Sequence, residues 1–280
     1  MIKTVREIMT EKPTTFSVPS AVNSLVKTLI QNNLTGLPIT DQSGKYVGMV
    51  SRRDIFENPH ESQTAMLLRR ARAVRPDDSI EDAARELSRQ GRRHIAVIDD
   101  DNNVVGILTP QNFLRAIREK HGTRKVKDLG ELSAVCVYED DPVSVVSHIM
   151  RIARTYASPV LNLSGQFAGI VTDRDLFDKI DIESRMETSE TGMADDEDPW
   201  SWEGIRNVFT YIIVKNNVQL PNSPVKNIMV RNPVVTNTND TMEAAVRKME
   251  GGNYNQLPVF KGSDDLVGML FDTHILRILF

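Results

Sequence analysis

The fold is decided by Leu37-Pro38-Ile39 and, ten residues beyond Pro38, by Val47-Gly48-Met49-Val50-Ser51-Arg52-Arg53-Asp54, because the same pattern returns three more times. The glycine string recurs as Val105-Gly106-Ile107-Leu108, Ala168-Gly169-Ile170-Val171 and Val267-Gly268-Met269-Leu270. Ten residues before each glycine stand Ile95-Ala96-Val97, Ser158-Pro159-Val160 and Leu257-Pro258-Val259. Sixteen residues earlier again an apolar stripe begins, at Val22, Ile80, Val143 and Met242. Three landmarks at fixed spacings in four copies define an internal repeat.

Each copy has a physical reading. Val22, Leu25, Val26, Leu29 and Ile30 follow the i, i+3, i+4, i+7, i+8 period of an amphipathic helix. Ile80, Ala83, Ala84 and Leu87 repeat that period, as do Met242, Ala245, Val246 and Met249; Asn33, Gly91 and Gly251 mark the ends. Two short strands around a polar turn follow, such as Asp41-Gln42-Ser43-Gly44, and a second helix opens at Ser51, Thr109 or Thr172. The expected unit is a three-stranded sheet with two helices, preceded by an extended segment such as Pro13-Thr14-Thr15-Phe16. A unit this small is marginal alone, so copies are expected to pair through their sheets.

Composition narrows the function classes. The 280 residues are 40% hydrophobic and 26% charged with net charge −4, which argues against a generally basic nucleic-acid binder. No apolar run reaches the roughly 18 residues of a membrane span, and Met1-Ile2-Lys3-Thr4 does not open a secretory signal, so a soluble cytoplasmic protein is expected. The single cysteine, Cys136, excludes an intrachain disulfide and a cysteine-rich zinc site; its apolar neighbours suggest a buried thiol. The histidines show no metal-ligand spacing, and nucleotide-loop, zinc-protease and nucleophile-elbow motifs are missing, so neither a metal nor an enzyme is expected.

The repeat resembles the cystathionine-β-synthase (CBS) domain. The resemblance rests on the landmark strands, on Val5-Arg6-Glu7-Ile8-Met9-Thr10 echoed by Val225-Lys226-Asn227-Ile228-Met229-Val230, and on Ser51-Arg52-Arg53-Asp54-Ile55 with Thr172-Asp173-Arg174-Asp175-Leu176. It implies an α+β fold of four CBS repeats paired into two Bateman modules in a pseudo-symmetric disk, similar to the γ subunit of AMP-activated kinase and to stand-alone archaeal and bacterial CBS proteins. The expected boundaries are 1–60, 61–122, 123–180 and 223–280 for the repeats, with 181–222 an acidic linker plus amphipathic helix.

Six residues past each glycine lie Asp54, Asn112, Asp175 and His274. Ser51 with Asp54, and Thr172 with Asp175, have the spacing of a capping box, in which short polar side chains satisfy free backbone N–H groups. The resemblance adds a ligand role: in this family the aspartate contacts an adenosine ribose, so Asp54 and Asp175 are the candidate ribose acceptors and Ser51 and Thr172 the hydroxyls beside them. Asn112 lacks the charge, and Phe271-Asp272-Thr273-His274 lacks both hydroxyl and carboxylate at the motif positions, leaving one intact motif per module. Phosphate contacts are sought among Arg52, Arg53 and Arg174 of the motif and Arg92, Arg93 and His94 entering the second landmark strand. An adenine slot is sought among Leu37, Pro38, Ile39, Ser158, Pro159 and Val160, with Thr15 and Thr236 from the extended segments.

Charge is unevenly spread. Asp181 to Glu203 holds nine acids against Arg185, a net −8, so the remainder carries +4. The step from Gly169 to Gly268 is 99 residues against 58 and 63 for the others, which places an insert there. Asp198-Pro199-Trp200 reads as a helix start, and Ile205, Val208, Phe209, Ile212 and Ile213 share one helical face, so a helix over 199–215 is expected to pack on its own module or, as the alternative, to dock a partner or second copy. The leading expectation is a regulatory sensor binding AMP, ADP or ATP between paired repeats, with no catalytic cofactor. S-adenosylmethionine or methylthioadenosine in the same clefts is the alternative, then a ligand-free assembly scaffold. Nucleic acid is the weakest reading, since the basic tracts Arg69–Arg75 and Arg115–Lys127 lack interleaved aromatics.

Overall fold

The structure is a computed structural model describing residues 2–58, 60–178, 181–190 and 210–280, the backbone alone for 181–190 and 210–219. The apolar stripes form helices Val22–Gln31, Ile80–Gln90, Val143–Ile152 and Met242–Gly252, each burying the residues its period selects. Ile30 is the exception, 46% exposed. Gly91 stops its helix in the left-handed region at φ 60°, whereas the fourth helix runs past Gly251 and stops at Asn253, φ 52°.

In every repeat the proline-landmark strand pairs antiparallel with the glycine strand, through Pro38↔Met49, Ala96↔Ile107, Pro159↔Ile170 and Pro258↔Met269. The extended lead segment lies parallel on the other side, as in Phe16↔Ile39, Val137↔Val160 and Thr236↔Val259; in the second repeat it shrinks to a Val74↔Val97 bridge.

Just upstream of these lead segments the repeats exchange chain. Thr10-Glu11, ahead of repeat 1, pairs with Ile107 and Gly106 of repeat 2, while Arg69, ahead of repeat 2, bridges Met49 of repeat 1. Repeats 3 and 4 do the same, through Val230↔Ile170 and through Met269 N–H donating to the Ser133 carbonyl at 3.2 Å. The crossing explains the landmark glycines. A Cβ on Gly169 would sit 2.4 Å from the Val230 carbonyl oxygen, and one on Gly48 2.4 Å from that of Arg69. At Gly268 the same Cβ would sit 2.8 Å from the Leu132 backbone, whereas Gly106 faces the Met9 side chain, its sulfur at 2.7 Å.

The modules also face one another. Repeats 2 and 4 share one core, from Ile80, Leu87, Phe113 and Ile117 to Met242, Met249, Leu257 and Ile275. Repeats 1 and 3 meet through Phe56 and Phe177, edge to face at 5.8 Å. Deep in the molecule Arg93 of repeat 2 donates to both oxygens of Asp272 of repeat 4, at 2.8 and 2.5 Å, with both side chains buried. Desolvation works against the guanidinium's charge, but the Asp272 carboxylate more than offsets it, leaving the Arg93 pKa raised.

Two expectations need correction. The residues Thr210–Gln219, which include Ile212 and Ile213, form a strand paired antiparallel with Asp181–Glu190, not the end of a helix. The β-branched run Ile212-Ile213-Val214 favours extended backbone over helix. The remainder of the expected helix, with Trp200, Trp202, Ile205, Val208 and Phe209, lies outside the described residues. Cys136 is exposed, because it precedes rather than enters the short strand Val137–Tyr138.

Two stability outcomes follow from this packing. Gly169→Ala must push Val230 off its bridge and should cost about 1–3 kcal/mol in urea unfolding. Asp272→Ala strands the Arg93 charge and should cost about 3–5 kcal/mol; the double change Arg93→Met, Asp272→Leu should recover most of that loss.

Candidate functional site

The capping boxes form as their spacing requires. Asp54 Oδ2 accepts from Ser51 N–H at 2.8 Å and from its hydroxyl at 2.7 Å; Asp175 Oδ2 accepts from Thr172 N–H and hydroxyl, both at 2.8 Å. The second oxygens differ. Asp54 Oδ1 is held by the Arg69 guanidinium, with Arg92 at 3.7 Å, whereas no described residue donates to Asp175 Oδ1. Burial, countered by the Thr172 hydrogen bonds, raises the pKa of the Asp175 carboxyl.

Each aspartate lies in a cleft between paired repeats, built from equivalent positions. Around Asp175 the walls are Ile170 and Thr172 of the motif strand, Val230 to Val234 of the crossing segment, and Gly252 to Gln256 of the partner repeat. Around Asp54 they are Met49 and Ser51, Arg69 and Ala71, and Gln90 to His94. Val230, Gly252 and Tyr254 in one cleft thus correspond to Arg69, Gln90 and Arg92 in the other. The volumes follow the side chains: about 250 Å³ around Asp175 and about 30 Å³ around Asp54.

A third cavity of about 550 Å³ lies where all four repeats meet and adjoins the Asp54 cleft through Arg53, Arg69 and Arg92. Arg154 and Arg277 complete a lining of five arginines with Glu57 as the acid. Three buried polar atoms on its wall, Arg92 Nη1, Gln90 Oε1 and His274 Nδ1, have no protein hydrogen-bond partner. Such a surface suits an anion carrying several acceptor oxygens.

The other sequence candidates are distributed as follows. Arg53 lines the central cavity, with its guanidinium 5.4 Å from the Tyr156 ring centre and bonded to Glu57 at 2.9 Å; Arg174 lines the Asp175 cleft. Arg52 is buried, donating to the Leu34 carbonyl at 2.8 Å and stacked 4.5 Å from the Phe177 ring, and Arg93 is committed to Asp272. His94 also borders the Asp54 cleft but is buried, sharing a 2.8 Å hydrogen bond with Thr35. Burial first, then the Arg93 and Arg52 charges, push its imidazole down to about 3, so it is neutral near pH 7.

Leu37, Pro38, Ile39, Ser158, Pro159 and Val160 are buried strand residues of the repeat sheets. Thr15 is exposed, and Thr236 is buried with its hydroxyl on Asp240 at 2.8 Å. Apolar walls for a base are supplied instead by Ile170, Val230, Pro233, Val234 and Tyr254. In the second repeat the Asn112 amide is filled by the chain itself, donating to the Ile8 carbonyl at 2.7 Å and the Thr10 hydroxyl at 3.1 Å. Arg92, a phosphate candidate from the sequence, lines both the central cavity and the Asp54 cleft. Sequence reasoning missed Arg69, Arg154 and Arg277; Arg69 was visible only as one member of a basic tract. Much of the second basic tract is drawn into ion pairs, Arg115 with Glu119, Arg118 with Glu250 and Lys120 with Glu81.

Paired repeats that exchange the chain upstream of their lead segments and enclose clefts at their motif aspartates define a tandem-module scaffold. The chain belongs to the CBS domain family, which it matches over residues 5–61, 67–119, 126–182 and 225–280. It is 30% identical over 128 residues to an uncharacterised protein of Methanocaldococcus jannaschii, MJ0188, a match covering 45% of this chain and about half (48%) of that protein's length. It is 22% identical to MJ1225 of the same organism over 61% of this chain and 68% of that protein. The crystal structure of MJ1225, proposed to be an archaeal homolog of g-AMPK, superposes with a TM-score of 0.77 at 15% identity over 99% of this chain and all of that one. An uncharacterised conserved protein from Pyrococcus horikoshii superposes at 0.65 with 24% identity, over 99% of this chain and all of that one. The L-aspartate semialdehyde sulfurtransferase of M. jannaschii is 27% identical over 41% of this chain but only 23% of its own length. Among the described residues no helix is long and apolar enough to cross a membrane, and no cluster of metal-ligating side chains occurs.

The depressed His94 pKa has a measurable consequence. Its folded value lies below the unfolded value near 6.5, so its contribution is complete above pH 6.5 and is lost as pH falls toward 3. Between pH 7.5 and 5.0 this group alone should remove about 2 kcal/mol. His94→Gln, which copies Gln256 at the equivalent position, should lessen the drop in denaturant-measured stability by that amount.

Proposed function

We propose that this chain is a ligand-sensing regulatory protein, not an enzyme, and that an adenosyl nucleotide is its ligand, bound first in the cleft around Asp175. The observation that carries the reading is the cleft itself. It joins about 250 Å³ of space, apolar walls for a base, and a carboxylate whose Oδ2 caps a helix while Oδ1 is left to accept from a ribose hydroxyl. Arg174 on the same wall supplies a cation for phosphate. AMP, ADP and ATP are favoured over S-adenosylmethionine and methylthioadenosine because the arginine-rich central cavity adjoins the second motif cleft.

Binding would act by population shift. The cleft walls come from two repeats joined by crossing segments, so a ligand touching both favours the arrangement that seats it best. The protein that receives the signal, a homodimer contact and a cytoplasmic site of action belong to the same proposal.

Titration calorimetry with AMP tests the reading, and Asp175→Asn is the informative variant, because Asn112 shows that an amide can cap the same turn. AMP binding at this cleft should weaken at least tenfold (about 1.4 kcal/mol) while folding stability stays within about 1 kcal/mol. A ligand-free scaffold predicts no heat with any adenosyl compound, and that result would refute the proposal.

A further inference from the structure

We infer that Arg69 is a charge-selective latch on the second cleft: anionic adenosyl nucleotides can enter beside Asp54, whereas uncharged adenosyl compounds are confined to the cleft beside Asp175. The inference rests on the adenosyl reading above and adds a difference between the two sites.

The two clefts are the same construction with one telling substitution. Arg69 and Val230 occupy one position of the fold, since each crosses the partner repeat's glycine strand one residue past the glycine, at Met49 and at Ile170. The backbone of Arg69 is pinned there in both directions, its N–H donating to the Met49 carbonyl at 3.1 Å and its carbonyl accepting from Met49 N–H at 3.0 Å. From that anchor the guanidinium spans Asp54 Oδ1 and Glu57 Oε2. Val230 reaches no carboxylate by charge, and Asp175 Oδ1 has no donor among the described residues. The side chain that closes the Asp54 cleft is therefore also the one that occupies its ribose acceptor.

A ligand whose ribose is to reach Asp54 Oδ1 must first detach Arg69. The side chain is free to move outward, being 41% exposed and bordering the central cavity. Releasing Asp54 leaves the guanidinium with Glu57 alone on a cavity wall that already carries Arg53, Arg92, Arg154 and Arg277, so it gives up one of its two carboxylates amid like charge. A neutral adenosyl compound offers nothing in exchange, and cationic S-adenosylmethionine makes the field worse. A nucleotide phosphate replaces the lost carboxylate for Arg69 and draws on the neighbouring arginines too. Ribose and phosphate thus swap partners with the resting ion pair, and phosphate becomes a requirement for entry.

The test is calorimetric stoichiometry on the full chain, with AMP and 5′-methylthioadenosine as probes. The wild-type protein should bind two AMP per chain but one methylthioadenosine. Asp175→Asn should silence the open cleft, leaving one AMP and no methylthioadenosine. Adding Arg69→Val, which copies the residue of the other cleft, should restore one methylthioadenosine and weaken AMP there about tenfold or more. Arg69→Lys should keep the preference for AMP. Two methylthioadenosine per wild-type chain, or failure of Arg69→Val in the Asp175→Asn background to admit it in a folded protein that still binds AMP beside Asp54, would overturn the latch alone. Absence of heat with either probe in the wild type would overturn the adenosyl reading and the latch together.

Discussion

Backbone meeting backbone at the landmark glycines is the constraint on which this architecture depends. The carbonyls of Arg69 and Val230 occupy the space a side chain at Gly48 or Gly169 would fill. Because the crossing segment belongs to the partner repeat, the contact ties two repeats into a module and sets which residues face the motif aspartate. Pairing also solves the size problem of a unit with three short strands and two helices, whose own core is too small to stand alone. Each module then adds a second surface, with repeat 2 merging its core into repeat 4 and repeat 1 meeting repeat 3 at Phe56 and Phe177.

Polar groups at the centre convert this packing into a defined arrangement. The residue after each cap position is Arg52, Pro110, Asp173 or Asp272, and three of these four are charged. Asp272 is paired with Arg93 from another repeat, and the Arg52 guanidinium lies over the Phe177 ring in a cation–π contact. A buried bidentate pair penalises slippage between repeats 2 and 4, since any shift leaves two desolvated charges without partners. Burial, aided by the Arg93 and Arg52 charges, holds His94 neutral beside a cavity lined by five arginines.

The repeat itself was legible in the sequence because helix and strand periods, glycine spacing and capping boxes are all local patterns. Asp54 and Asp175 could be singled out for the same reason. The echo of Val5–Thr10 in Val225–Val230 marks two of the crossing segments, but nothing in the sequence says which strand they cross, and the bridge from Met49 to Arg69 joins segments that no spacing rule relates. Arg93 reads in the sequence as a phosphate candidate beside Arg92 and His94, because the carboxylate that holds it is 179 residues away. Arg69 reads as one more charge in a basic tract, although its backbone register alone aims it at Asp54. The strand Thr210–Gln219 shows the opposite failure, a helical spacing of apolar residues overruled by consecutive β-branched side chains.

The difference between the modules is a matter of three exchanged positions on a common frame. Arg69 against Val230, Gln90 against Gly252 and Arg92 against Tyr254 remove charge and volume from one cleft while the capping box and strand register stay the same. A frame held by crossing backbone can accept such exchanges, because its integrity rests on glycine and main-chain bonds rather than on the cleft side chains. Ligand preference is therefore free to diverge between paired clefts without disturbing how the repeats assemble. Duplication of the unit supplies the pair of clefts, and only the narrower one opens beside the arginines that converge on the central cavity.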